Sequence, residues 1–173
     1  YTHYKLVGEM PEGCDIIYGL DFGFNHPTAF IKVGLKDNAI YAEQVIYKTK
    51  LTNSDLIGEL NRLAIGNTII YGDAAEPQRI EEIYRAGFNI KSASKEKDSV
   101  KKGIDTIKSK PLFITEDSSD LIKEIRNYKW AEDKNGKSLD APVKFMDDAL
   151  DAMRMAIHSH FAKPTGKYYV SIV

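Results

Sequence analysis

Two apolar runs of β character each end on an aspartate: Ile16-Ile17-Tyr18-Gly19-Leu20 runs into Asp21, and Thr68-Ile69-Ile70-Tyr71-Gly72 into Asp73. Short runs with no polar alternation are buried on both faces, in the middle of a sheet. Open sheets with helical crossovers gather their ligands outside the carboxyl ends of their strands. If these two strands are parallel neighbours, Asp21 and Asp73 meet there. A third acidic group, Asp147, Asp148 and Asp151, lies on a helical pattern near the C-terminus.

The order of elements supports that placement. Residues 15–20, 29–35 and 40–47 read as three strands, with Lys36-Asp37-Asn38 as a hairpin turn. Thr52 with Asp55 three residues on marks a helix start, and that helix runs to about Leu63, ended by Gly66-Asn67. Residues 68–71 form a buried strand. Glu76-Pro77 opens a helix to Arg85, with Gly87 behind it. Residues 88–92 form a further strand. Val100, Ile104 and Ile107 give one helix face within 95–110. Residues 112–114 are extended, 118–128 are helical, and 128–143 form a hairpin around Asn135-Gly136. The last helix covers 145–161. The fold class is therefore α/β: a mixed central sheet of three antiparallel strands followed by parallel ones, flanked by helices. Residues 1–14 read as a linker remnant, 15–162 as the domain and 163–173 as a tail.

Carboxylates far apart in sequence but gathered at element ends suit a site for Mg²⁺ or Mn²⁺, which prefer oxygen ligands. Two such ions ~3.5–4 Å apart can activate water, orient a phosphate and neutralise a leaving oxygen. Asp21 is the candidate bridge and Asp73 a ligand of one ion. Positions three or four apart share a helix face, so Asp148 and Asp151, or Asp147 and Asp151, can supply the rest. Asp148 with Asp151 is the favoured pair, and Asp147 stays an alternative. Each aspartate alone reads more readily as a turn or cap residue than as a ligand; the joint arrangement carries the reading. Lys95, Lys97, Lys101 and Lys102 lie in the most basic stretch and are the candidate DNA phosphate contacts. His158 and His160 read as surface residues.

Several classes drop out. Cys14 is the only cysteine, which rules out an internal disulfide framework. No apolar run approaches the ~18–20 residues of a membrane span. No G-x-x-x-x-G-K-[ST] loop exists, so no ATPase activity is expected. Asp21-Phe22-Gly23 copies a kinase triplet without the rest of a kinase. The net charge of −1 neither announces nor excludes a nucleic-acid binder. The chain starts at Tyr1 and reads as a piece of a longer polypeptide.

Taken together, L-D-F-G-F-N-H-P-T-A, Y-G-D-A-A-E-P-Q-R-I and D-D-A-L-D-A-M-R, in that order over residues 15–160, resemble the nuclease domain of tailed-phage terminase large subunits. Ser99–Ile104, S-V-K-K-G-I, resembles a further segment of that family. The resemblance implies an RNase H-like fold and a two-metal endonuclease that cuts concatemeric viral DNA during packaging. It implies Asp21, Asp73 and Asp151 as ligands. Many relatives carry histidine where Asp148 stands, which leaves the role of Asp148 open. The implied partners are double-stranded DNA, a packaging ATPase domain in the same full-length chain, the portal protein and the small terminase subunit. The implied place is the host cytoplasm, outside the mature virion. Rival readings are another RNase H-like nuclease, such as a junction resolvase or transposase core, and a non-catalytic DNA-binding module.

Overall fold

A computed structural model describes residues 3–128, 130–132, 138–142 and 146–162. The strands are β1 (Tyr4–Val7), β2 (Asp15–Asp21), β3 (Thr28–Lys36), β4 (Ala39–Lys48), β5 (Ile70–Gly72), β6 (Ile90–Ser92) and β7 (Leu112–Thr115). They form one mixed sheet in the order β1-β7-β4-β3-β2-β5-β6. β2, β3 and β4 are an antiparallel meander. Asp37 and Asn38 both take left-handed φ, as a tight two-residue hairpin turn requires. β5 joins β2 in parallel, β6 joins β5, and β7 joins the other edge at β4.

The helices are α1 (Asn53–Leu63), α2 (Pro77–Arg85), α3 (Ser99–Lys108), α4 (Ser119–Asn127) and α5 (Asp148–Phe161). α1 starts on a capping box in which the Thr52 hydroxyl accepts from the Asp55 N–H and the Asp55 carboxylate accepts from the Thr52 N–H. Below the sheet, α1 and α2 bury Leu56, Leu60, Ile80 and Ile83 against Tyr18, Leu20 and Phe30. Above it, α4 and α5 bury Leu121, Ile125, Met153 and Ile157 against Ile17, Ile31 and Val33. Alternation along β2 thus sends even positions down and odd positions up, so Asp21 points toward α5. Gly19 lies on that upper face. A Cβ there would overlap the Ala152 carbonyl oxygen, so α5 is seated directly on the strand backbone.

Several elements differ from the sequence reading. Residues 4–7, taken as part of a linker, form an edge strand paired with β7. They are half exposed and too short to carry an apolar run. α1 ends at Leu63 as expected, but the left-handed residue that terminates it is Ala64 rather than Gly66. α3 starts at Ser99 rather than near Lys95, because Asp98 adopts φ 62° ahead of it. α5 starts at Asp148, because Met146 has φ 49°. Two strands, β8 (Trp130–Glu132) and β9 (Ser138–Pro142), pair antiparallel as the expected hairpin. Its Asn135-Gly136 turn and the 163–173 tail lie outside the described residues.

Candidate active site

The β2–β5 register pairs Tyr18 with Ile70, Gly19 with Tyr71 and Leu20 with Gly72. Asp21 and Asp73 follow at the next level, side by side at the carboxyl end of two parallel strands. The Asp73 N–H donates to the Leu20 carbonyl at 3.0 Å, which continues the ladder to the site. One Asp73 carboxylate oxygen accepts from the Ala75 N–H at 2.9 Å and so shapes the turn into α2. From above, the first turn of α5 brings Asp148 and Asp151 over the same strand end. Burial first, and then the charges of Asp151, Asp148, Asp73 and Asp147, together raise the Asp21 carboxyl to about 8. The three acidic clusters of the sequence are therefore one electrostatic unit centred on Asp21.

Like charges do not gather without compensation, and each outer aspartate has a partner. Asp148 Oδ1 lies 2.8 Å from His26 Nδ1, a residue of the β2–β3 loop. Asp151 Oδ1 accepts from Arg154 Nε at 3.1 Å and from Nη2 at 2.8 Å. Arg154 is 7% exposed, and its stem occupies the space over Gly103 of α3, where a Cβ would come within 2.6 Å of it. Tyr128 is raised to about 12 by burial, with Asp151 adding to the effect, which places it at the same cluster. Among the described residues no three His, Cys, Asp or Glu side chains are already drawn together tightly enough to hold a metal ion.

The fit to a divalent cation rests on donor chemistry. The cluster offers oxygen donors only, the set that Mg²⁺ and Mn²⁺ take. Burial, reinforced by the neighbouring carboxylates, favours the protonated form of its central carboxylate, and a cation would oppose that.

A cleft of about 340 Å³ opens beside Asp148, lined by His26, Tyr47, Lys123, Glu124 and Met146 among others. Glu124 is 3% exposed, and burial raises its carboxyl to about 7. His26, Arg154, Tyr47 and Glu124 were all missed by the sequence reading. Arg154, at the end of the third motif, and His26, within the first, lay near signals that could have flagged them. His158, read as a surface residue, is buried at 6% exposure, and its Nε2 has no partner among the described atoms.

The four candidate lysines are exposed but do not enter the acidic cluster. Lys95 and Lys97 lie on the loop that follows β6, and Lys101 and Lys102 on the first turn of α3. Lys102 pairs with Glu96 at 3.2 Å. The loop is tied to the far half of α5 by a 2.9 Å bond from the Ser94 N–H to Ser159 Oγ. No described helix is long and apolar enough to cross a membrane.

A family model described as the terminase RNase H-like domain matches residues 21–159. The PBSX phage terminase large subunit of Bacillus subtilis strain 168 is 25% identical over 146 residues, which is 82% of this chain and 34% of that protein. The chain spans about a third of that relative's length. Among solved structures, the g2p large terminase nuclease domain of bacteriophage SPP1, with bound Mn, matches with TM-score 0.76 at 22% identity, covering 90% of this chain and 96% of that one. The large terminase nuclease of thermophilic phage G20c, with bound magnesium, matches with TM-score 0.64 at 20% identity over 90% and 92% of the two chains. At these identities the two structures establish a shared fold.

Proposed function

The chain belongs to the family of terminase RNase H-like domains, and from that premise we propose that it is a metal-dependent DNA endonuclease that cuts concatemeric viral DNA during genome packaging. The observation that carries the reading is the convergence of Asp73, Asp147, Asp148 and Asp151 on Asp21 at the carboxyl end of β2. A charge cluster of this kind destabilises the fold unless a cation joins it. Asp21, Asp73, Asp148 and Asp151 are the residues that would hold Mg²⁺ or Mn²⁺, two ions in the full reading. When bound, the ions would neutralise the charge of a phosphodiester and lower the pKa of an attacking water.

The chain's own side chains do the rest. Asp21 and Asp73, fixed by the β2–β5 ladder, form the rigid floor of the site. Asp148 and Asp151 form its roof. His26 and Arg154 hold those roof carboxylates in place. Lys95, Lys97, Lys101 and Lys102 would contact phosphates along the duplex away from the scissile bond, and so add affinity without sequence preference. Such a domain would work beside a packaging ATPase domain, with the portal and small terminase subunit as partners, in the host cytoplasm. It would carry no ATPase activity of its own.

The test is nicking of supercoiled plasmid with Mn²⁺, with Mg²⁺ and with EDTA, run beside Asp21→Asn. We expect cutting with either metal, none with EDTA, and a loss of at least about a thousand-fold in the variant. Cutting by Asp21→Asn at the wild-type rate would remove the site from this position.

A further inference from the structure

We propose that Glu124 is a positioning residue of the cleavage site: through it, the sheet fixes where the first turn of α5 holds Asp148 and Asp151. The inference rests on the function proposed above and deepens it. Three observations carry it.

The first is how α5 begins. The opening N–H groups of a helix need acceptors. Asp147 stands at the N-cap but makes no side-chain cap bond. Instead Glu124 Oε2 accepts from the Leu150 N–H at 2.9 Å, and the Ala149 N–H also donates to this carboxylate. α1 is capped by Thr52 from within its own sequence. A local cap of that kind ends a helix without placing it. A cap from α4 ties the helix end to a different element. Asp148 and Asp151 flank the two capped residues, so this bond sets their height above Asp21.

The second is what holds Glu124. The Tyr47 hydroxyl of β4 donates to Glu124 Oε1 at 2.8 Å. Gln44, on the same strand, caps α4: its Oε1 accepts from the Asp120 and Leu121 N–H groups, each at 3.0 Å. One strand therefore holds α4 at its start and again at the residue that caps α5. The buried carboxylate also lies at the positive end of the α5 dipole, which favours its charged form as an acceptor.

The third is a β-bulge. Phe30 pairs with Ile46 while Ile31 pairs with Gln44, so Val45 is an extra residue in β4. Positions three apart on a regular strand face opposite sides. With Val45 inserted, Ile40, Ala42 and Tyr47 all pack on the α5 side, while Ile46 packs below. The bulge is what lets Gln44 and Tyr47 act on the same helical layer.

The test reads Mn²⁺ affinity, by titration of free Mn²⁺ with electron paramagnetic resonance, beside plasmid nicking, in wild type, Glu124→Leu, Glu124→Gln and Tyr47→Phe. Glu124→Leu removes the acceptor and should weaken Mn²⁺ binding and slow nicking about 10–100-fold. Glu124→Gln keeps an acceptor for the Leu150 N–H and should recover most of both. A merely structural role would lower the melting temperature of Glu124→Leu and leave Mn²⁺ affinity at 25 °C unchanged, and that result overturns the proposal. If Glu124→Leu does not fold, Tyr47→Phe decides: several-fold weaker Mn²⁺ binding supports the proposal, and wild-type affinity sinks it. If wild type binds Mn²⁺ but never nicks DNA, and the variants still lose affinity, the positioning role stands and the endonuclease reading fails.

Discussion

The two faces of the sheet are built by opposite rules. Below it, α1 and α2 close over an apolar layer of Tyr18, Leu20, Phe30, Leu56, Leu60 and Ile83, with no buried charge among the described residues. Above it, the buried residues include Glu124, Arg154 and His158, and Asp21 opens onto the same side. The lower face uses the non-directional effect that stabilises most domains. The upper face interrupts its apolar layer with groups that lower stability when unpaired and that orient one another when paired. Both faces therefore stabilise the fold by apolar burial, but only the upper one also carries the buried ionisable groups that set the site geometry.

The largest expected break in that division comes from the lower face. Leu60→Ala removes a fully buried side chain far from the aspartates and should cost about 3–4 kcal/mol of stability. Below its melting temperature the variant should nick DNA at the wild-type rate. Denaturant unfolding and a nicking assay at low temperature check the two halves, and slowed nicking would mean the faces are coupled.

The upper face should respond in the opposite sense. In the metal-free protein Asp21 is shifted from 3.8 to about 8, and Glu124 from 4.5 to about 7. Both folded values are raised, so the folded state binds more protons than the unfolded state across that window. Stability should therefore fall as pH rises from about 4 to about 8. Asp21→Asn should flatten much of this slope and gain roughly 2–3 kcal/mol at pH 8 without metal. Melting curves across pH, with EDTA and then with Mg²⁺, check this, and a stability that climbs toward pH 8 would contradict the cluster.

A smaller effect separates two terms at Gly103. An alanine there gains about 1 kcal/mol of helix propensity. Its methyl would meet the buried Arg154 stem at 2.6 Å, and overpacking of that kind costs typically about 1–3 kcal/mol. The net expectation is a loss of about 1 kcal/mol, with slower nicking as Arg154 leaves Asp151. A more stable Gly103→Ala, by thermal melting, would show that Arg154 has room to move.

The same contrast explains what could be read from the chain. The meander, its Asp37-Asn38 turn, the Thr52 cap and the Pro77 helix start are local signals, written within a few residues, and the structure has them. Asp21 and Asp73 were legible together because parallel strands bring their carboxyl ends level. β1 was not, since a half-exposed edge strand of four residues has no pattern to detect. The start of α5 was misplaced because Met146 adopts a left-handed φ that its residue type does not announce. Glu124 and Tyr47 were invisible for a different reason. Each acts on a partner far along the chain, and nothing near a glutamate in an amphipathic helix says that it will cap another helix 26 positions away.

The bare contact between Gly19 and Ala152 bears on how such a domain can drift. Most helices rest on side chains, so each replacement in the core shifts the helix by a fraction of an ångström. Here the helix rests on backbone, which every sequence shares. Apolar residues around it can be exchanged over many generations while the gap between Asp21 and the acidic turn stays the same. A glycine under an alanine carbonyl thus works as a ruler made of main chain, and an acidic cluster measured by it can outlast most of the sequence that first encoded it.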